Sequence, residues 1–303
     1  MKKPLVVALL AIFCCALWGS AFPCVKIGYR LFAISGDDTA SQILFAGLRF
    51  TLAGVLVILM GTIAEKKMLR VTKKTLPMVI KVSLLQTVIQ YFFFYIGLAH
   101  TTGVKGSILV STNTFLAILV SSLIFRMEKL NLEKIIGCAL GFMGVVIINL
   151  TGNVDMSFNF TGDGFILLSA LSYSFSTVLI KHYSKEADPI MISGYQFLIG
   201  GIFMAVCGFI FGGRLGEVSL PGLVMLLYLS FISAAAYSVW SMLLKFNPVS
   251  KVSIYGFTNP LIGVILSAVI LKEGSAFSWK SLVALFLVCI GIFIVNRAPK
   301  KDR

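Results

Sequence analysis

Long apolar stretches alternate with short polar breaks along the whole chain. The stretches have about 16 to 25 residues, close to the length of about 20 that an α-helix needs to cross the hydrocarbon core of a bilayer. The pattern therefore predicts an all-α integral membrane protein with ten transmembrane helices. The predicted spans are residues 5–25, 43–63, 78–99, 106–125, 134–150, 163–180, 190–211, 220–244, 252–271 and 281–296.

The composition excludes an ordinary soluble protein. Of the 303 residues, 58% are hydrophobic and only 13% are charged, whereas a soluble domain is roughly 25% charged. The polar breaks are too short to hold a soluble domain of ordinary size. The first stretch, behind Lys2 and Lys3, is interpreted as a retained helix, because it lacks a small-x-small cleavage site and further spans follow.

Lysine and arginine concentrate at the cytoplasmic ends of membrane spans, so their positions predict the orientation. With the N-terminus inside, 19 of the 26 basic residues fall in inner segments. We therefore expect a multi-pass protein of the plasma membrane with both termini in the cytoplasm. This bias and contact with anionic lipid explain the net charge of +14. The lipid bilayer is thus a predicted partner and nucleic acid is not.

The second half of the chain resembles the first, at an offset of about 147 residues. Three matches occur in the same order: 47–54 with 194–201, 104–125 with 250–271, and 141–149 with 288–296. Because each copy holds five predicted spans, an odd number, the second copy must enter the membrane upside down. We predict two inverted five-helix repeats, residues 1–151 and 162–297. Inverted repeats are typical of secondary transporters, whose substrate site lies near the midplane between the halves.

Four segments also resemble a known family, the EamA family of the drug/metabolite transporter superfamily. These are WGSAF (18–22), GLRF (47–50), YIGLAHTTGVKGSIL (95–109) and NPVSKVSIYGFTNPLIGVILSAVILKE (247–273). The resemblance covers almost the whole chain in two copies. It implies a ten-helix transporter, usually an exporter or permease for amino acids, other small metabolites or drugs. One departure is Asn113, where the family often has proline; the second copy keeps Pro260.

A few polar and aromatic side chains inside the predicted spans are the candidates for substrate binding. Arg49 is a full charge within a span, and such a charge is costly and indicates a functional site by default. Its alternative role is to bond free carbonyls and hold the halves together. Polar groups facing lipid would leave hydrogen bonds unmade, so the others face either a wet cavity or another helix. The predicted binding residues are Trp18, Arg49, Gln86, Gln90, Tyr91, Asn113, Tyr173, Gln196, Tyr237, Trp240 and Asn259.

The ninth span contains a predicted hinge. Pro260 has no N–H and so frees the carbonyl of Gly256, which a membrane tolerates if that carbonyl meets protein or water. With Asn259 beside it and Asn113 at the repeat-equivalent position, this predicts a midplane site or hinge at Gly256 and Pro260. A plain kink that aids packing is the alternative.

These features favour a secondary transporter that works by alternating access on a small-molecule substrate. Arg49 favours neutral, zwitterionic or carboxylate-bearing solutes, such as amino acids. Multidrug efflux of lipophilic compounds is one alternative. A membrane-embedded enzyme is another, but no acidic residue or histidine lies near the middle of a span. We therefore predict no catalytic residues, no metal site and no cofactor.

Overall fold

The computed structural model describes residues 3–101, 103–149, 158–271 and 279–297, and within these ranges every regular element is a helix. The helical segments are α1 (Pro4–Leu31), α2 (Thr39–Glu65), α3 (Leu76–Ala99), α4 (103–124), α5 (Leu132–Asn149), α6 (Phe160–Tyr183), α7 (Pro189–Ile210), α8 (Leu220–Phe246), α9 (249–271) and α10 (Trp279–Arg297). Six of them, α1 to α3 and α6 to α8, are long and apolar enough to cross a membrane. The predicted all-helical class is confirmed. The count of ten spans and the inverted arrangement stay predictions.

Polar side chains at the helix ends satisfy free backbone groups. At the start of α2, the Asp38 carboxylate accepts a hydrogen bond of 2.9 Å from the Ser41 N–H. At the start of α7, Asp188 accepts from the N–H groups of Ile190 and Met191. Each carboxylate thereby takes up amides that lack a partner inside the helix. The chain then leaves both helices through a left-handed residue, Lys66 at φ 52° after α2 and Gly212 at φ 88° after α7.

Glycines let α2 and α7 pack backbone against backbone. A Cβ atom added at Gly54 would lie 2.5 Å from the backbone nitrogen of Leu198, and one at Gly201 would clash with the backbone nitrogen of Thr51. Cβ atoms in proteins do not approach other atoms this closely, so a larger residue at Gly54 or Gly201 would push the two helices apart. Small residues serve the same purpose in membrane helix pairs generally.

The remaining helices pack in further groups. α1 packs against α8 and α9, α6 packs against α3 and α4, and α5 packs against α10. A Cβ atom at Gly291 of α10 would lie 2.5 Å from the carbonyl oxygen of Gly137 in α5, so this contact is also close. Four helices contain irregular turns. α3 has a π-helical turn at Leu84–Ile89, α4 has one at Val120–Ile124 and α6 begins with one at Phe160–Gly164, whereas α9 has a 3₁₀ turn at Ile254–Phe257.

The outside of the bundle is apolar. On α7, Phe203 and Phe209 are 50% and 70% exposed, and on α10 Phe286 is 66% exposed. Soluble monomers rarely expose large continuous apolar areas, and membrane contact is one reason for such a surface. These side chains are therefore placed to face lipid.

Candidate functional site

Two tyrosines from equivalent positions of the repeats meet in the interior. The hydroxyl oxygens of Tyr91 in α3 and Tyr237 in α8 lie 3.4 Å apart, and the residues are 146 positions apart in the chain. Tyr237 is only 5% exposed. The two halves of the chain therefore each contribute a phenol to one partly buried contact.

Aromatic rings from α1 and α8 extend this contact into a cluster. The Trp18 ring lies 5.0 Å from the rings of both Tyr237 and Trp240, in edge-on geometry. Tyr173 of α6 packs, as Trp18 and Tyr91 do, against the buried group of apolar residues that includes Tyr237. Edge-on geometry is one that aromatic pairs prefer. We call Trp18, Tyr91, Tyr173, Tyr237 and Trp240 the aromatic cluster.

Several polar atoms in and beside this cluster are buried without a partner in the part of the chain that the structure describes. The indole Nε1 atoms of Trp18 and Trp240 are two of them, and the side-chain Oε1 atoms of Gln86 and Gln90 are two more. Trp240 is 4% exposed and Gln86 is 2% exposed. Buried polar groups almost always have a partner, so a group of them without one needs an explanation.

The π-helical turn of α3 carries part of this polar group. Gln86 lies within the turn and Gln90 directly after it. π-turns inside α-helices occur frequently at functional sites. In the same turn, the Thr87 hydroxyl donates to Oε1 of Gln196 at 2.7 Å, and Nε2 of Gln196 has no partner among the described residues.

Arg49 ties α2 to α8. Its Nη2 donates to the Ser233 hydroxyl at 3.0 Å, and its Nε donates to the Leu229 carbonyl at 3.3 Å. The guanidinium carbon lies 5.2 Å from the centre of the Phe50 ring, and the residue is 7% exposed. The structural role that the sequence left open for Arg49 thus has specific contacts, while its role in binding stays a prediction.

The predicted hinge lies on a different set of helices. The 3₁₀ turn of α9 ends at Phe257. Pro260 is the third residue of the helical stretch Thr258–Leu271 that follows it. A Cβ atom at Gly256 would lie 2.6 Å from the Thr114 hydroxyl of α4. α4 is tied to α6 beside Asn113, because the Ser174 hydroxyl donates to the backbone carbonyl of Asn113 at 2.9 Å. Oδ1 of Asn259 is buried without a partner among the described residues.

Two aromatic residues of this site and two buried carboxylates were not predicted from the sequence. Phe50 and Phe197 stack at 5.3 Å, and both are fully buried; they occupy equivalent positions of the repeat, which could have revealed them. Asp163 and Glu128, placed by the sequence in polar stretches, are 0% and 8% exposed. Asp163 accepts from Thr101 at 2.7 Å, and Glu128 pairs with a lysine, so each has partners away from the aromatic cluster.

The described residues contain no group of three or more metal-binding side chains. The aromatic cluster together with the buried glutamines and Arg49 offers aromatic faces, amides, indole N–H groups, phenols and one guanidinium. These groups can bind an organic solute through stacking and hydrogen bonds. They include no acid or histidine that could act as a general acid or base.

Comparison with known proteins agrees with this architecture. An uncharacterized transporter of Bacillus subtilis, YvbV, is 29% identical over 299 residues, which cover 98% of this chain and 93% of the relative. An uncharacterized transporter of Archaeoglobus fulgidus is 25% identical and covers 98% of this chain and 99% of the relative. The chloroplastic WAT1-related protein At3g02690 of Arabidopsis thaliana is 28% identical over 216 residues, which cover 68% of this chain and 51% of that protein.

A solved crystal structure has the same fold, with a TM-score of 0.79 at 16% identity over 97% of each chain. The sequence model of the EamA-like transporter family matches residues 5–150 and 160–297, one match in each half. These matches cover nearly the whole chain. The resemblance seen in the sequence is thereby confirmed, and the chain belongs to the EamA-like transporter family.

Proposed function

We propose that this protein is a secondary transporter of ten membrane-spanning helices, built from two inverted repeats, residues 1–151 and 162–297. It moves small neutral or zwitterionic metabolites, such as amino acids, by alternating access. It lies in the plasma membrane with both termini in the cytoplasm. The observation that carries the proposal is the contact between Tyr91 and Tyr237, equivalent residues of the two repeats that meet within a cluster of unpartnered polar groups.

The packing of the helices supports the inverted repeat. If α1 to α5 correspond to α6 to α10, the contacts of α1 with α8 and α9 correspond to those of α6 with α3 and α4. The α2–α7 and α5–α10 pairs are each their own counterparts. At the first of these, the close approach of Gly54 to Leu198 corresponds to that of Gly201 to Thr51. Such reciprocal contacts are what a two-fold axis between the halves produces.

A site on this axis suits alternating access. In transporters with inverted repeats, one half rocks against the other around a site that both halves line. The aromatic cluster takes Trp18 and Tyr91 from the first half and Tyr173, Tyr237 and Trp240 from the second. A solute bound there would contact both moving parts.

The charges near the site support a neutral or zwitterionic substrate. Arg49 is a buried cation, and both of its hydrogen-bond partners are uncharged. A cationic solute would meet a like charge at low dielectric, where charge interactions are much stronger than in water. Stacking on the aromatic rings would hold an apolar part of the solute. Cation–π contact with the same rings favours the second candidate function, efflux of lipophilic cations.

Flux into proteoliposomes tests the proposal. The purified protein would be assayed against a radiolabelled panel of neutral, zwitterionic, anionic and quaternary ammonium compounds. We expect saturable flux of at least one zwitterionic or neutral metabolite and preference for it over quaternary ammonium compounds. Preference for the cations would favour multidrug efflux. Inactivity toward the whole panel would count against transport and reopen the question of an enzyme.

A further inference from the structure

Glu128 is buried between the two halves of the chain. Its side chain is 4% exposed and that of Lys134 is 8% exposed, and Lys134 Nζ lies 3.0 Å from Glu128 Oε2. The Ser121 hydroxyl donates to Oε1 at 3.3 Å. From the other half, Ser250 of α9 donates its backbone N–H to Oε1 at 3.1 Å and its hydroxyl to Oε2.

This carboxylate caps a helix of the other repeat. The N–H groups in the first turn of a helix have no partner within it. Pro248, the residue before α9, makes no side-chain cap. Glu128 therefore supplies the acceptor that the start of α9 lacks. The backbone makes this reach by a turn at Arg126, which has φ 50°, in the left-handed region.

The contact lies at a closed end of the bundle. We call the end that carries the starts of α1 and α9 the amino end. Around it, Val79 of α3, Val120 of α4, Leu243 of α8 and Val249 of α9 are between 0% and 3% exposed and belong to one apolar cluster. These four side chains are therefore packed away from solvent at this end.

We infer that Glu128, Lys134 and Ser250 form a latch that holds the amino end closed and must separate when that end opens. The inference rests on the proposed transport function. α9 carries the 3₁₀ turn and Pro260, so fixing its first turn positions the predicted hinge. Glu128 is in this sense a positioning residue, acting on the site through α9.

The chemistry of the latch suits a contact that breaks repeatedly. A buried ion pair loses hydration when it forms, so its net stability is modest although its geometry is specific. When the end opens, water replaces the lost partners of both charges. In the alignment of the two repeats, Val104 is the residue equivalent to Ser250. The first repeat therefore has no hydroxyl at the position that corresponds to Ser250.

Native cysteines report which end is open. Cys15 is fully buried toward the amino end, and its Sγ donates to the Tyr255 carbonyl of α9 at 3.3 Å. Cys24 lies further along α1, near Arg49 and toward the opposite end. Two chains, each keeping one of these cysteines and alanine at the other five, would be placed in lipid nanodiscs. The rate of reaction with N-ethylmaleimide is then measured.

The variant Glu128→Gln should raise the reaction rate of Cys15 at least fivefold without raising that of Cys24. Glu133→Gln is the matched control, because Glu133 is an exposed carboxylate next to Lys134; it should leave both rates within twofold of the parent. Lys134→Arg, which keeps the charge, should also stay near the parent rate.

Two results would overturn the latch: an unchanged Cys15 rate in folded Glu128→Gln, or equal increases at Cys15 and Cys24, which indicate general loosening. Should Glu128→Gln aggregate, Ser250→Ala removes a single donor and should raise the Cys15 rate at least twofold; no increase there rejects the proposal as well. These rates need no substrate. Absence of flux in the parent chain would therefore count against transport, independently of the latch.

Discussion

The charge of Arg49 should decide whether the protein selects carboxylate-bearing solutes. The guanidinium has five N–H donors, and its hydrogen bonds to Leu229 and Ser233 use two of them. A hydrogen bond to a charged group contributes about 1.5–3 kcal/mol, and each 1.4 kcal/mol is about tenfold in affinity. We therefore expect Arg49→Gln to raise the KM for a carboxylate-bearing substrate by about 10- to 100-fold.

The measurement compares two solutes that differ in the carboxylate, such as phenylalanine and its methyl ester, in proteoliposomes. Arg49→Gln should narrow the preference for phenylalanine over the ester, and Arg49→Lys should keep most of it. Ser233→Ala is the control, because it removes a partner of Arg49 while leaving the charge in place. It should cost about 1 kcal/mol of stability and change the preference by less than about threefold.

Two outcomes would refute this reasoning. Full transport of phenylalanine by Arg49→Gln would make Arg49 a structural tie between α2 and α8 and nothing more. A preference of the unmodified protein for quaternary ammonium compounds over amino acids would show that the electrostatic argument is wrong. If Arg49→Gln lowers stability but leaves the selectivity unchanged, Arg49 is likewise only a structural tie between the two helices.

Other predictions concern the fold, the orientation and the tyrosine contact. Gly54→Val should lower stability by about 1–3 kcal/mol, seen as a lower melting temperature, whereas Gly36→Val, with nothing near its added Cβ, should have little effect. A cysteine in place of Arg70 should react with impermeant reagents from the cytoplasmic side alone; labelling in intact cells would reverse the proposed topology. Tyr237→Phe should lower kcat/KM by about 2- to 10-fold through loss of one hydrogen bond at unchanged melting temperature; unchanged transport would remove the hydroxyl from the site.

The helices and the tyrosine contact could be predicted from sequence because each depends on a pattern within the chain. Bilayer thickness sets the length of a span, and the hydropathy of the chain shows which stretches have that length. The Tyr91–Tyr237 contact is one that the proposed inverted repeat would produce, since a two-fold axis brings equivalent positions on it together. Phe50 and Phe197 also occupy equivalent positions of the repeat and also pack together. The repeat thus indicates which residues far apart in the chain can be neighbours, and a single copy would not.

Contacts between unlike elements could not be predicted in this way. Glu128 lies in the polar break between the predicted spans 106–125 and 134–150, so hydropathy places it in water. Its burial depends on Ser250 in the other half, and no periodicity connects the two. The bond from Thr87 to Gln196 depends on the π-turn of α3, which changes the helical register and leaves no mark in the apolar pattern. Such sites become visible once the halves are packed together.

The differences between the two halves matter as much as their likeness. If two inverted repeats were identical, the outward-open and inward-open arrangements would be related by the two-fold axis and would have equal free energy apart from the membrane. Here α3 has a π-turn where α8 is regular, and α9 has a 3₁₀ turn where α4 is regular. Ser250 also has no hydroxyl counterpart. A bias of 1.4 kcal/mol already makes one state about tenfold more populated, so a ligand must prefer the other state by more than that to reverse the balance. In the proposed transporter, these local asymmetries set the resting state, and the shared aromatic cluster lets the substrate change it.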